Sequence, residues 1–215
     1  MLRAALALAG LLLAALVGGQ LALPRVAERR LTSDLAETGQ VRHVSVEAMP
    51  AIKLLFKRAD RVEVDMAEAR ATSTGKLAAW IRRAQGTREL DARVDLVRLG
   101  PLRLHAVRLR KDHERLSGQA TLSDRELAAA LPPQFRVRPV EDPTGELVIE
   151  AAVGPIAARA RLTARDGSLV VAPEGLLGGL GSLTVFKDAR VQVDEIASRP
   201  GPTGFTLTAA GRLKS

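Results

Sequence analysis

Apolar and polar positions change their spacing several times along this 215-residue chain, and each change marks an element. From Ala4 to Leu23 the chain is apolar throughout except for Gln20. As a helix, a stretch of about 20 residues reaches about 30 Å, the thickness of a hydrocarbon core. Arg3 and the terminal amine give it a positive flank, and Val17-Gly18-Gly19 offers small residues for a signal peptidase. Residues 1–23 are therefore expected to be a cleaved signal or an uncleaved membrane anchor. Arg25, Arg29 and Arg30 follow so closely that charge bias does not fix an orientation. Pro24 to Thr38 then reads as a helix, with Val26, Leu31 and Leu35 near one face and Gly39 as its stop.

Beyond Gly39 the period falls to two. Val44, Val46 and Ala48 alternate with Ser45 and Glu47 until Pro50 breaks the run. Val62, Val64 and Met66 alternate with Arg61, Glu63 and Asp65, the pattern of a half-buried antiparallel strand. Ala92, Val94 and Leu96 repeat it. After Gly100-Pro101, Leu102, Leu104 and Ala106 are expected opposite Arg103, His105 and Arg108. Arg115–Leu122, Phe135–Val140, Glu146–Val153, Ile156–Ala164, Leu169–Ala172, Arg190–Ile196 and Phe205–Leu213 bring the expectation to about nine or ten strands. Asp142-Pro143-Thr144-Gly145, Gly154-Pro155 and Asp166-Gly167 are turn signals between them. Three stretches read as helical: the short apolar Ala51–Arg58; Thr74–Ala84, with Leu77, Trp80 and Ile81 at helical spacing; and Asp124–Leu131. The last is opened by a Ser123/Glu126 capping box and closed by Pro132-Pro133. Gly175–Gly181 is a Gly/Leu loop. The pattern predicts an α+β, mostly β fold with a long curved antiparallel sheet. No repeat or long linker divides residues 24–215, so one domain is expected.

Composition narrows the core. Apolar residues make up 47% of the chain but aromatic ones only 2%, with one Trp, four Phe and no Tyr. The interior must be Leu, Val, Ala and Ile. Such side chains either wall a smooth cavity or fill a plain core, and composition alone favours the plain core. The net charge is +8 and comes mainly from Arg, since Lys stands only at Lys53, Lys57, Lys76, Lys111, Lys187 and Lys214. A basic surface attracts nucleic acid or anionic headgroups. An export segment and the lack of aromatics for base stacking argue against nucleic acid. Genomic base composition explains the Arg enrichment equally well. The absence of cysteine excludes disulfides, thiolate metal sites, a Cys nucleophile and lipidation at Cys, and is compatible with export.

No catalytic set emerges. His43, His105 and His113 are scattered without metal-site spacing, and His105 reads as a solvated residue. There is no nucleophile elbow, and Gly178-Gly179-Leu180-Gly181 has the wrong spacing for a dinucleotide loop. Acids alternate with bases along strands, as surface charge pairs do. No catalytic residue, metal ligand or cofactor is assigned. Two features lean towards lipid. Ile52, Leu54, Leu55 and Phe56 interleave with Lys53, Lys57 and Arg58, which suits a segment at a bilayer interface as well as a short core helix. One apolar face on a curved sheet, closed by a helix, gives an interior that acyl chains could fill.

Several stretches resemble a known family: Ala59-Asp60-Arg61-Val62-Glu63-Val64; Leu99-Gly100-Pro101-Leu102-Arg103-Leu104 with Val107-Arg108-Leu109-Arg110-Lys111; and Gly118-Gln119-Ala120-Thr121-Leu122-Ser123 into Glu126-Leu127 and Ala130-Leu131-Pro132. Asp166-Gly167-Ser168-Leu169-Val170-Val171 and Gly204-Phe205-Thr206-Leu207-Thr208-Ala209 complete the set. In order and spacing they resemble the LmeA-like phospholipid-binding proteins of actinobacterial cell envelopes, over most of the chain after residue 25. The resemblance implies a long antiparallel sheet wrapped around an N-terminal helix, similar to tubular lipid-binding (TULIP-like) domains. It also implies an exported, non-enzymatic protein that binds phospholipid, anionic phosphoinositides among the candidates, and supports envelope lipid or glycan assembly. The expected partners are thus an anionic phospholipid and the membrane, with the domain outside the cytoplasmic membrane. The apolar wall is expected from Leu54, Leu55, Phe56, Val62, Val64, Leu102, Leu104, Leu147, Ile149, Phe186 and Phe205, and the headgroup cations are Lys53, Lys57 and Arg58. A structural envelope protein with a filled core is the alternative, and a hydrolase of envelope glycan or lipid is a third reading.

Overall fold

The computed structural model describes residues 23–71, 84–99, 102–129, 136–140, 142, 146–153, 156–174, 182–202 and 204–214. The apolar stretch through residue 22, the helix expected from Thr74 and the Gly175–Gly181 loop lie outside them. Among the described residues no helix is long and apolar enough to cross a membrane.

Helix α1 covers 23–36 and leads into strands β1 (Gly39–Glu47), β2 (Ala59–Ala71), β3 (Thr87–Leu99), β4 (Leu102–Asp112) and β5 (Arg115–Ser123). The short helix α2 (Asp124–Ala129) follows, then β6 (Arg136–Val140), β7 (Leu147–Val153), β8 (Ile156–Arg165), β9 (Ser168–Glu174), β10 (Leu183–Phe186), β11 (Val191–Gly201) and β12 (Gly204–Leu213). Seven strands form one long open sheet in the order β1-β2-β3-β4-β5-β12-β11, and five form a second in the order β10-β9-β8-β7-β6. The fold is therefore mostly β, as the alternation predicts. Among the described strands, the pairing departs from a uniform antiparallel sheet where β2 and β3 run parallel. Parallel neighbours cannot be joined by a hairpin, and the long connection between Ala71 and Thr87 supplies the crossover. Strand β10 is not legible in the sequence, because four residues beside a Gly-rich stretch show too little alternation.

Helix α1 lies along the first strands. Ala27, Leu31 and Leu35 pack on a cluster of Val44, Val46, Val62, Val64, Met66, Ala69 and Val97. Their spacing of four residues turns Val26 outward, where it is 46% exposed rather than on the buried face with Leu31 and Leu35. Glu28 Oε1 accepts a hydrogen bond from the Val46 backbone N–H at 3.1 Å, which sets the start of α1 beside the end of β1.

The sheet bends where its inward alternation slips. In four neighbouring strands the apolar face steps by three residues instead of two: Val44 to Val41, Met66 to Ala69, Val94 to Val97 and Val107 to Leu104. In β4 the extra residue is Ala106, with φ +48° and an exposed side chain. The expected place of Ala106 on the apolar face is thus taken by Val107. Extra residues of this kind bend a strand and increase its twist.

The second sheet meets the first along β11. Val193 N–H donates to the Gly167 carbonyl at 3.1 Å, and Ser198 Oγ donates to the Glu146 carbonyl at 3.3 Å. A second apolar cluster of Leu116, Phe186, Val191 and Leu213 seals this junction. The Asp166-Gly167 turn has positive φ at both residues, 50° and 74°, as a tight hairpin requires.

Candidate functional site

Register places one continuous apolar row across all seven strands of the long sheet: Val44, Val64, Ala92, Leu109, Gly118, Ala209 and Ile196. Under α1, Val44 and Val64 are buried, whereas from Ala92 to Ile196 the row is only half-buried. Its centre is built from small residues, Ala92, Gly118 and Ala209. A Cβ added at Gly118 would meet no atom within 4 Å. The next row holds Val46, Val62, Leu90, Lys111, Leu116, Gly211 and Val193. Lys111 is a buried ammonium on this otherwise apolar face, 6% exposed, whose Nζ donates to the Thr87 carbonyl. Burial pushes its pKa below the ordinary 10.5, with Asp112 and Glu114 opposing more weakly. Sequence reasoning missed Lys111, although it continues the inward phase of Val107 and Leu109.

Of the expected wall residues, Val62 and Val64 belong to the main cluster, and Leu54 and Leu104 pack against it. Leu102 is half-buried at the start of β4. Phe205 is buried opposite Leu122, at the end of the sheet away from Lys111. Leu147, buried, and Ile149, half-buried, sit on β7 of the second sheet, and Phe186 belongs to the second cluster. Leu55 and Phe56 are not brought into any of these groups, being 64% and 72% exposed.

Those two residues stand on a hydrogen-bonded turn. Ala51–Phe56 forms a 3-10 helix, followed by Lys57 in the left-handed region at φ 56°. Lys57 N–H donates to the Leu54 carbonyl and Arg58 N–H to the Lys53 carbonyl, both at 3.0 Å. Asp60 ties the neck of the turn through the Met49 N–H at 2.6 Å and Lys53 Nζ at 2.9 Å. The Met49 and Lys53 bonds hold the Asp60 carboxyl below its ordinary 3.8. On the far side, a Cβ at Gly86 would lie 2.1 Å from the Lys57 carbonyl oxygen, so only glycine fits there. Lys53 is thus neutralised locally, while Lys57 and Arg58 are exposed.

The opposite face of the long sheet is polar and laced with ion pairs, among them Arg42 with Asp65 and Asp95, Arg98 with Glu68, and Arg212 with Asp194. An open cleft of about 790 Å³ lies here, walled by Arg61, Asp91, Arg110, Arg115, Asp194 and Arg212. Alternating charges at its walls make it unsuited to acyl chains. His105 is exposed, with Nε2 2.6 Å from Glu126 Oε1. Ser123 Oγ accepts from the Glu126 N–H at 3.2 Å, as the capping box predicts. Among the described residues no cluster of three or more His, Asp or Glu is placed to hold a metal ion.

Comparison with curated proteins and with solved structures returned no match. A family model described as LmeA-like phospholipid-binding matches residues 14–211, nearly the whole chain. The chain belongs to the LmeA-like phospholipid-binding family.

Proposed function

We propose that this protein holds the acyl chains of a phospholipid against the half-buried apolar face of its long sheet, outside the cytoplasmic membrane, and supplies lipid to envelope assembly without catalysing a reaction. The observation that carries this reading is the half-buried row from Ala92 through Leu109, Gly118 and Ala209, with open space above Gly118. Leu, Val and Ala side chains offer acyl chains a smooth apolar contact surface. Lys111 at the edge of that face, with Lys57 and Arg58 at the same end of the sheet, supplies cations for a headgroup phosphate. The net charge of +8 favours an anionic lipid, and the apolar segment Ala4–Leu23 supports export or anchoring.

The test is photo-crosslinking of the full chain in vesicles containing a phospholipid with a diazirine on its acyl chain. Adducts on Leu109, Leu207 or their neighbours on this face are expected. Gly118→Leu, which fills the open space above Gly118, should remove them. Adducts confined to residues 1–23 and 49–56 would sink the reading and favour a filled core.

A further inference from the structure

Large apolar side chains left exposed are concentrated at one end of the molecule. Among the described residues they are Met49 at 80%, Phe56 at 72%, Leu55 at 64%, Ile52 at 55% and Val26 at 46%. Four of them crown the turn between β1 and β2. The fifth sits in the first turns of α1, which the Glu28–Val46 hydrogen bond places beside that turn. A monomeric surface seldom gathers its apolar side chains in this way without a partner. The turn is also held in shape before any partner arrives. Asp60 closes its neck, and the Lys57 backbone rests against Gly86.

We infer that this tip is a docking surface for an anionic bilayer, with Met49, Ile52, Leu55 and Phe56 entering the headgroup boundary. Charge at this end suits that occupant. Exposed Arg25, Lys57, Arg58, Arg88 and Lys214 outnumber the exposed acids Glu47, Asp112 and Glu114. Gln85 links part of this group, accepting from Arg190 Nη1 at 3.0 Å and donating to the Lys214 carbonyl at 3.2 Å. Apolar side chains ringed by cations are the arrangement that binds at a lipid interface. The path of the chain points the same way. The apolar segment Ala4–Leu23 enters α1 at its first residues, at the same end as the tip. A bilayer that held that segment would meet the tip, while the turn at Pro202 would face away from it. The long sheet would then stand with the end bearing Lys111 at the membrane, open to lipid leaving or entering the bilayer.

The chain has no cysteine, so a single introduced thiol labels one position. The full chain carrying Leu55→Cys or Pro202→Cys, each labelled with a polarity-sensitive fluorophore, is reconstituted with vesicles of phosphatidylcholine and phosphatidylglycerol. The Leu55 probe is expected to shift to the blue and to be quenched by lipids with brominated acyl chains, and the Pro202 probe by aqueous iodide. Adding Lys57→Glu and Arg58→Glu should reduce the bilayer quenching at position 55 by about half or more. Equal quenching at the two positions, by either agent, would overturn the proposal and leave the tip to a protein partner. Crosslinking on the sheet face and quenching at the tip succeed or fail separately, so loss of the acyl site leaves this outcome readable.

Discussion

Lys53 and Asp60 close the neck of the tip turn: Lys53 Nζ lies 2.9 and 3.1 Å from the two Asp60 carboxylate oxygens. One of those oxygens also accepts the Met49 N–H at 2.6 Å. The amide of Met49 contributes most, and Lys53 next, to holding the Asp60 carboxyl below its ordinary 3.8. A lowered carboxylate pKa stabilises the fold fully above the ordinary value and stops doing so as pH falls through the folded one. Protection of the Met49 amide, corrected for intrinsic exchange, should therefore hold at about pH 5 and fall below about pH 3.8. Asp60→Asn should abolish that step in hydrogen exchange.

Exposure separates docking from folding at the tip. Leu55 and Phe56 contact water over most of their surface, whereas Leu54 packs on the main cluster. Leu55→Ser and Phe56→Ser should each change stability by no more than about 0.5 kcal/mol, as exposed positions do. Urea unfolding checks this, and a loss of several kcal/mol would mean that the two side chains are structural.

Much of the long sheet was legible because one face is buried and the other solvated, which writes a period of two into the sequence. Val62, Val64 and Met66 of β2 and Ala92 and Val94 of β3 follow it directly. The bend was present too, since Arg103 and His105 share a face with Arg108 only if the phase slips between them. Strict alternation hid the slip and misplaced Ala106. The parallel β2–β3 pair was not legible, because local alternation does not say which neighbour a strand takes. The tip was read only as far as its composition. Interleaved apolar and basic residues suit a core turn and an interface equally, and only the exposure of Leu55 and Phe56, with Leu54 turned in, distinguishes the two. Lys111 is not legible as part of the apolar face, because a lone Lys beside Arg110 and Asp112 looks like surface charge.

Met66 sits at the centre of the main cluster and is 4% exposed. Met66→Ala should cost about 2–4 kcal/mol, the lost transfer energy plus the cavity left behind. Chemical denaturation measures it. A much smaller loss would mean that α1 settles into the gap.

Lys111 ties the stability of the apolar face to pH. Its Nζ meets the Thr87 carbonyl, and burial among Leu90 and Leu116 pushes its pKa below 10.5. The unfolded chain then binds the proton more tightly than the folded one, so stability rises as pH climbs from the folded pKa to 10.5 and is lower below that window. Lys111→Met should remove the rise, seen as a flatter Tm than in the parent chain as pH climbs towards 10.5. A phospholipid whose phosphate reaches this ammonium would favour its charged form and flatten the same curve without any mutation. Short-chain phosphatidylglycerol should therefore raise the parent Tm more at about pH 8 than at pH 10.5, and raise that of Lys111→Met by the same amount at both. A lipid shift independent of pH in the parent chain would place the headgroup away from Lys111, beside Lys57 and Arg58.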